Sequence, residues 1–408
     1  MANSTEHIER PMVKTQEDLL ALVADLRAAG RFALDTEFLA ERTYVPRLCL
    51  IQVATDEFIA LIDSIVIPSL APFWELVSDP DIEVVLHAAR EDLRLAFYGS
   101  RDLPQSIFDT QVAAGLIGLP QYPLSYARLV EALVGVRLGK TETRSEWDRR
   151  PLSPEQLKYA RDDVRYLLPI ADKLGAMLTK IGRRGWLDEE MARFSTAIAY
   201  EPDPDIAYQR IRGPRSGMTA RPTAYLRSVA AWREREAAAR DMSARLVLKD
   251  EVVTELALRP PKRITDFIKV RGFPAGEEAT IGPDILAALD AARAIKEENL
   301  PEPLAGQDDE TPQQRVMTDL TAAMGAALCL ARGIAPELAL TRASASLLVR
   351  GNPSTTLLSG WRYEAIGREL QSFVTGVSSA TIHVVNSALN VKIDIPAVSK
   401  KSAGNELD

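Results

Sequence analysis

The run RFALDTEF, residues 31–38, constrains this chain most. Apolar and polar residues alternate as in a strand, so Asp35 and Glu37 leave the same face. The flanking Phe32, Leu34 and Phe38 are apolar, which favours a buried central strand over a solvent-facing edge. Two like charges buried side by side are costly unless cations neutralise them. Either the pair lies on a solvent-facing polar edge, or the fold buries this strand and a cation neutralises one of its faces.

The surrounding pattern supplies the rest of a sheet. LCLIQVAT and EFIALID follow after short connections, which predicts an antiparallel meander. Residues 68–79 read as a helix, IEVVLHA as a buried strand, and REDLRLAFYG as a helix ending at Gly99. SIFDTQVAAGLIG begins extended and turns helical. SPEQLKYARDDVRYLLPIADKLGAMLTKIG is one long helix or two, opened by Ser153 with Pro154 at its first position. Together these predict an α/β domain with a mixed sheet over about residues 12–200.

At 408 residues the chain has room for two or three domains. EPDPDIAYQRIRGPRSGMTARP carries four prolines and reads as a linker. An all-helical module is expected over 217–298. A second Pro- and acid-rich linker, PEPLAGQDDETPQQ, leads into a weaker helical pattern over 310–395. The last eight residues read as a frayed tail. The net charge of -8 conceals a split. Residues 1–200 hold 23 Lys and Arg against 30 Asp and Glu, whereas residues 210–275 hold 15 against 7. An acidic module joined to a basic one is the first functional hint.

Two distant cysteines and three histidines exclude a structural zinc site, so any metal must be held by oxygen. Beyond Asp35 and Glu37, Asp92 opens a helix, where a carboxylate also suits the helix dipole; Asp109 could play the same part. Tyr159 and Asp163 are four apart and share a helix face. Carboxylates from a strand, a helix start and a later helix would make a cage for Mg²⁺ or Mn²⁺. Two such ions about 4 Å apart can activate water and stabilise the leaving oxygen of a phosphodiester.

LDTEF, RTYVPRLCLIQVA, LHAAREDLRLAF and YARDDVRYLLPI together resemble ribonuclease D, the tyrosine-bearing branch of the DEDD 3′→5′ exonucleases. FDTQVAAGLIG and KTETRSEWDRRPLSPEQLKYA extend the resemblance across the N-terminal domain. Residues 217–298 resemble the helicase-and-RNase-D C-terminal (HRDC) module, with a second, divergent one over 310–395. The resemblance implies a ribonuclease-H-like fold and two metal ions. Asp35 would bridge both ions; Glu37 and Asp163 would complete the first site, and Asp92 would serve the second. Tyr159 would orient the attacking water, and the Tyr-x-x-x-Asp spacing selects Asp163 over Asp162. The expected activity is 3′→5′ exoribonuclease cleavage of RNA with a free 3′ end, tRNA precursors included, releasing nucleoside 5′-monophosphates. The alternatives are a DNA exonuclease of the same superfamily and a non-catalytic RNA-binding scaffold.

Substrate contacts are expected from Lys140, Arg144 and Trp147, from Phe38 and Tyr44 by stacking on terminal bases, and from basic residues of the helical module, among them Arg233 and Arg240. Glu41, just after the first motif, would weaken phosphate contact there. Gly139-Lys140-Thr141 lacks the glycine and the strand-loop-helix setting of a phosphate loop, so nucleotide triphosphate binding is not expected. His87 is expected to be a packed, hydrogen-bonded residue rather than a ligand. No run of about 18 apolar residues is free of charge, and the N-terminus has no basic end followed by an apolar core. A cytoplasmic monomer is the expectation.

Overall fold

A computed structural model describes residues 7–39, 43–139, 145–201, 203–212, 218–302, 310–385 and 388–394. It divides into two compact units. One is built from Met1–Thr110, Tyr126–Lys173 and Glu190–Glu310, the other from Gln111–Ser125, Leu174–Glu189 and Thr311–Asp408.

The first unit holds a six-stranded sheet. Its strands are β1 (Ile8–Glu9), β2 (Arg31–Leu39), β3 (Arg47–Ala54), β4 (Phe58–Ile62), β5 (Glu83–Leu86) and β6 (Ile107–Asp109), in the order β1-β4-β3-β2-β5-β6. β2, β3 and β4 form the expected antiparallel meander, while β5 and β6 join in parallel, so the sheet is mixed. β2 is an interior strand, and Phe32 and Leu34 are fully buried.

Local sequence explains the helices that frame it. α1 (Gln16–Ala29) starts where the Thr15 side chain accepts the Asp18 N–H, and it stops at Gly30, whose φ of 69° turns the chain straight into β2. α2 (Ala71–Val77), α3 (Arg90–Ser100), α4 (Thr110–Leu116) and α5 (Tyr126–Val134) follow in chain order. α6 (Pro154–Arg165) opens with a reciprocal cap between Ser153 and Gln156. Of the two readings, one helix or two, the structure has two: α6 ends at Tyr166 and α7 (Leu167–Lys180) follows. Pro169 supplies the reason: its ring clashes with the carbonyl four residues back, that of Arg165. α8 (Arg184–Ala192) completes this stretch.

α9 (Ala220–Ala239), α10 (Ala244–Val247), α11 (Asp250–Leu258) and α12 (Gly282–Arg293) form a helical core in the same unit. Much of the expected linker belongs to it. Pro204–Arg210 is a short 3₁₀ helix, and Ala207, Ile211 and Met218 are buried with Leu226, Val229, Phe267 and Leu289. Three apolar anchors outweigh the prolines around them.

Arg233 is likewise corrected. It is 5% exposed, and its guanidinium donates to the Leu248 carbonyl and to Asp250 Oδ1, both at 2.8 Å. It continues the inward stripe of Leu226, Val229, Ala230 and Ala237 along α9, so no phosphate can reach it. Arg245 holds the other oxygen of Asp250 at 2.8 Å. Against the burial that would raise it, these arginines hold the Asp250 carboxyl below its ordinary range.

In the second unit Arg183 binds the carbonyls of Leu116 and Gly333 at 2.7 Å, which ties its three chain segments together. Gly118, with φ 71°, lies against the Gly333 backbone, where a Cβ would clash at 2.4 Å. Pro312–Ala331 and Arg342–Val349 are its longer helices. The purely helical expectation for 310–395 fails at its end: β7 (Ser379–Val385) and β8 (Ala388–Asp394) pair antiparallel. Their β-branched alternation carried that signal. No described helix is long and apolar enough to cross a membrane.

Arg233→Ala should cost about 1–3 kcal/mol, because Asp250 Oδ1 and the Leu248 carbonyl lose their donor while Arg245 still holds Oδ2. Arg240→Ala, on the exposed face, should stay within about 0.5 kcal/mol. Urea unfolding followed by helix signal measures both.

Candidate active site

β2 presents Asp35 and Glu37 on one face, and α6 packs across β2, β3 and β4. Asp163, near the end of α6, thereby meets them. One carboxylate oxygen from each of Asp35, Glu37 and Asp163 lies within 4.8 Å of the others. Tyr159, one helical turn earlier, hydrogen-bonds the Asp163 carboxylate. Asp163 Oδ2 remains buried without a partner.

Asp92 stands beside this trio. It is 7% exposed and accepts a hydrogen bond from the hydroxyl of Thr36, which leaves β2 between the two acidic residues. The turn from β5 into α3 aims it. Ala88 takes a left-handed φ of 60°, and the N–H groups of Ala88 and Ala89 both donate to Asp109, at 3.1 and 2.9 Å. The helix-start duty thus falls to Asp109, which leaves Asp92 to face the other acids. The strained turn is over-determined by those two bonds.

The electrostatics follow from crowding in a poorly solvated place. Burial, then the charge of Asp163, pushes the Asp35 carboxyl well above its ordinary range. Burial, then Asp35, Asp163 and Asp92, pushes Glu37 up to about 9. Burial, then Asp35, raises Asp92. Asp163 rises by burial against the opposing hydrogen bond from Tyr159. An all-oxygen donor set with an orphaned buried oxygen, whose members resist ionising beside one another, fits a hard divalent cation.

Residues 11–179 match the family model described as 3′-5′ exonuclease, and residues 223–289 match the HRDC domain. A ribonuclease D of Gluconacetobacter diazotrophicus is 35% identical over 369 residues, covering 90% of this chain and 93% of that protein. One of a Shewanella species is 39% identical over 281 residues, covering 69% and 72%. The chain belongs to the ribonuclease D family. Among solved structures, Escherichia coli RNase D, described as an exoribonuclease involved in structured RNA processing, superposes with a TM-score of 0.80. It is 30% identical and covers 90% of this chain and 99% of that one. The catalytic core of RRP6 from Trypanosoma brucei gives a TM-score of 0.53 at 25% identity, covering 71% and 81%. As a member of the ribonuclease D family the chain is a 3′→5′ exoribonuclease, and the family implies dependence on divalent metal.

Ribonuclease D membership leaves the substrate contacts to be read from this chain, and several differ from expectation. Trp147 is 1% exposed and packs with Cys49, Leu50 and Leu61, its ring 6.1 Å from that of Tyr159. Arg150 locks it there by binding Asp63 through two bonds of 2.7 Å and the Trp147 carbonyl at 2.7 Å. It supports Tyr159 and cannot touch RNA. Tyr44 is not free to stack either. Its hydroxyl donates to Glu234 at 2.9 Å, and its ring packs on the HRDC core. Phe38 is half-buried just past a register shift at which Cys49 of β3 is the extra residue. Arg240 is exposed and pairs with Glu236. Lys140, Arg144 and Glu41 lie outside the described residues. His87 is packed as expected, against Tyr126 and 2.9 Å from the Thr110 hydroxyl.

Sequence reasoning passed over a cavity of about 260 Å³ between the loop Thr43–Pro46, the start of α3 and the HRDC helices. Its carboxylates are engaged: Glu91 with Arg94 at 3.5 Å, Glu201 with Arg101 at 3.4 Å, and Glu234 with Tyr44. Arg90 and Arg210 also line it and have no ion-pair partner among the described residues. Arg90 lies within LHAAREDLRLAF and Arg210 within the expected linker, and neither stretch marks them as a pair; only the fold brings them to one cavity.

The raised carboxyls set a pH signature. A carboxyl with a raised folded pKa holds its proton more tightly folded than unfolded. Its contribution is therefore full below about pH 4 and is lost as pH rises through the folded value, about 9 for Glu37. Without metal, Glu37→Gln should melt progressively higher than wild type between about pH 5 and 9. A gap that stays constant with pH would show that Glu37 does not sense its neighbours.

Proposed function

We propose that this enzyme trims RNA 3′ ends, tRNA precursors among them, with two divalent ions, Mg²⁺ or Mn²⁺, as a cytoplasmic monomer. It releases nucleoside 5′-monophosphates. The observation that carries the reading is the meeting of Asp35, Glu37 and Asp163, with Tyr159 bound to Asp163. We keep three modules, 12–200, 217–298 and 310–395, as the working partition.

Asp35, Glu37 and Asp163 would hold one ion, and Asp35 with Asp92 the other. When bound, such ions supply positive charge that acidifies water and neutralises charge developing on the phosphate and leaving oxygen. The remaining work falls to side chains. The Tyr159 hydroxyl donates to Asp163 and keeps its lone pairs for a water proton, which fixes that water opposite the last phosphodiester. Trp147 holds the Tyr159 ring in place. The water oxygen, giving up a proton, bonds to phosphorus as the P–O3′ bond opens, and the departing O3′ takes up a proton. The shortened strand keeps a 3′-hydroxyl and the freed nucleotide keeps its 5′-phosphate. Phe38 and the two cavity arginines, Arg90 and Arg210, would guide the strand that leads to the site.

Asp35→Asn should abolish cleavage while leaving the protein folded. Tyr159→Phe should lower the maximal rate about 10- to 1000-fold with little change in RNA affinity; lost affinity at an unchanged rate would instead make Tyr159 a binding group. Arg90→Gln and Arg210→Gln should weaken RNA binding and flatten its salt dependence by about 0.7 in log–log slope per lost phosphate contact. Single-turnover cleavage of matched RNA and DNA strands, with binding measured across salt, tests all of these and the sugar preference together.

A further inference from the structure

Gln52 is fully buried in the middle of β3. Among the described residues it alone has two side-chain polar atoms buried without a partner, its amide nitrogen and its amide oxygen. The strand around it calls for an apolar residue. Leu50 and Ala54 share its face, Leu61 lies opposite it on β4, and Leu50 and Leu61 close against Ala160 of α6. Packing alone favours leucine or methionine here, because an unmet buried amide is a standing cost that such residues avoid.

Its other neighbour suggests why an amide is present. Gln52 is the register partner of Asp35 across the antiparallel β2–β3 pair. Directly opposed side chains leave the same face with Cβ atoms about 5 Å apart. Gln52 therefore sits on the carboxylate face, beneath the helix that carries Tyr159 and Asp163. Asp35 is the carboxylate that would be shared by both ions, so the direction of its lone pairs matters most.

We propose that Gln52 is a positioning residue for the metal site, its amide N–H orienting the Asp35 carboxylate when cation is bound. This rests on the reading of Asp35, Glu37 and Asp163 as metal ligands. The amide is a neutral donor, so it restrains a carboxylate without competing with the cation for charge. Among the described residues the amide donor has no partner. A bound cation would fix the Asp35 oxygens as acceptors for it.

The test is Mn²⁺ binding by calorimetry to the full chain, with melting measured in EDTA and in Mn²⁺. Gln52→Met keeps the shape and removes the amide. It should melt in EDTA at or above wild type, and it should bind Mn²⁺ about 10- to 100-fold more weakly. Its cleavage rate should recover with excess Mn²⁺, and its KM for RNA should stay unchanged. Gln52→Glu keeps the shape and adds a carboxylate beside the others. It should melt lower in EDTA and gain more than wild type from Mn²⁺. Wild-type Mn²⁺ affinity in Gln52→Met, or an unaltered Mn²⁺ gain in Gln52→Glu, would overturn the proposal and leave Gln52 a core residue. If wild type itself takes up no Mn²⁺, the metal-site reading fails first, and that result is distinguishable from the other two.

Discussion

Mutual repulsion among buried carboxylates is the constraint on which the rest of this structure depends. Asp35, Glu37 and Asp163 crowd within a few ångströms, with Asp92 beside them, and burial raises the cost of ionising each. A domain tolerates such a cluster only if its frame is stiff and if cation is available. The frame is visible: an interior strand for two acids, a capped helix for the third, and a strained turn braced by Asp109 for the fourth. Thr36 and Tyr159 add single hydrogen bonds that orient carboxylates without neutralising them.

The HRDC helices contribute through geometry as well as charge. The loop after β2 is fastened to α9: the backbone N–H groups of Tyr44 and Val45 donate to Asp241 at 3.2 and 3.4 Å, and the Tyr44 hydroxyl donates to Glu234. Arg94 of α3 reaches the Tyr44 carbonyl at 3.1 Å. The segment that follows the first two acids is thus held between the helix that bears Asp92 and the helical module. A surplus of arginine in the module's sequence says less about this than two of its acidic residues do.

The chain's compaction also departs from its linear order. The helical core over 220–293 shares a unit with the sheet, while 111–125 and 174–189, from within the nuclease stretch, compact with the C-terminal segment. Arg183 and Gly118 make that exchange specific, one by binding carbonyls from two segments and the other by admitting a backbone that a side chain would block.

The sequence alone determined the meander, the α/β class and the five candidate side chains. Periods of two and four brought forward Asp35 with Glu37 and Tyr159 with Asp163, whereas Asp92 rested on a helix start and on the family resemblance. The β7–β8 pair was equally local in its alternation and was passed over for the helical pattern before it. The tertiary structure decided which polar and aromatic residues face solvent. Arg233 entered the core to meet Asp250, Trp147 was pinned by an arginine that reaches back to Asp63, and Tyr44 turned to Glu234. Arg90 and Arg210, far apart in the chain, line one cavity with no ion-pair partner among the described residues. Burial is a relation between segments far apart in the chain, and a residue's type does not encode it. A row of arginines therefore reads as one basic surface until the fold pairs some of them and leaves others open.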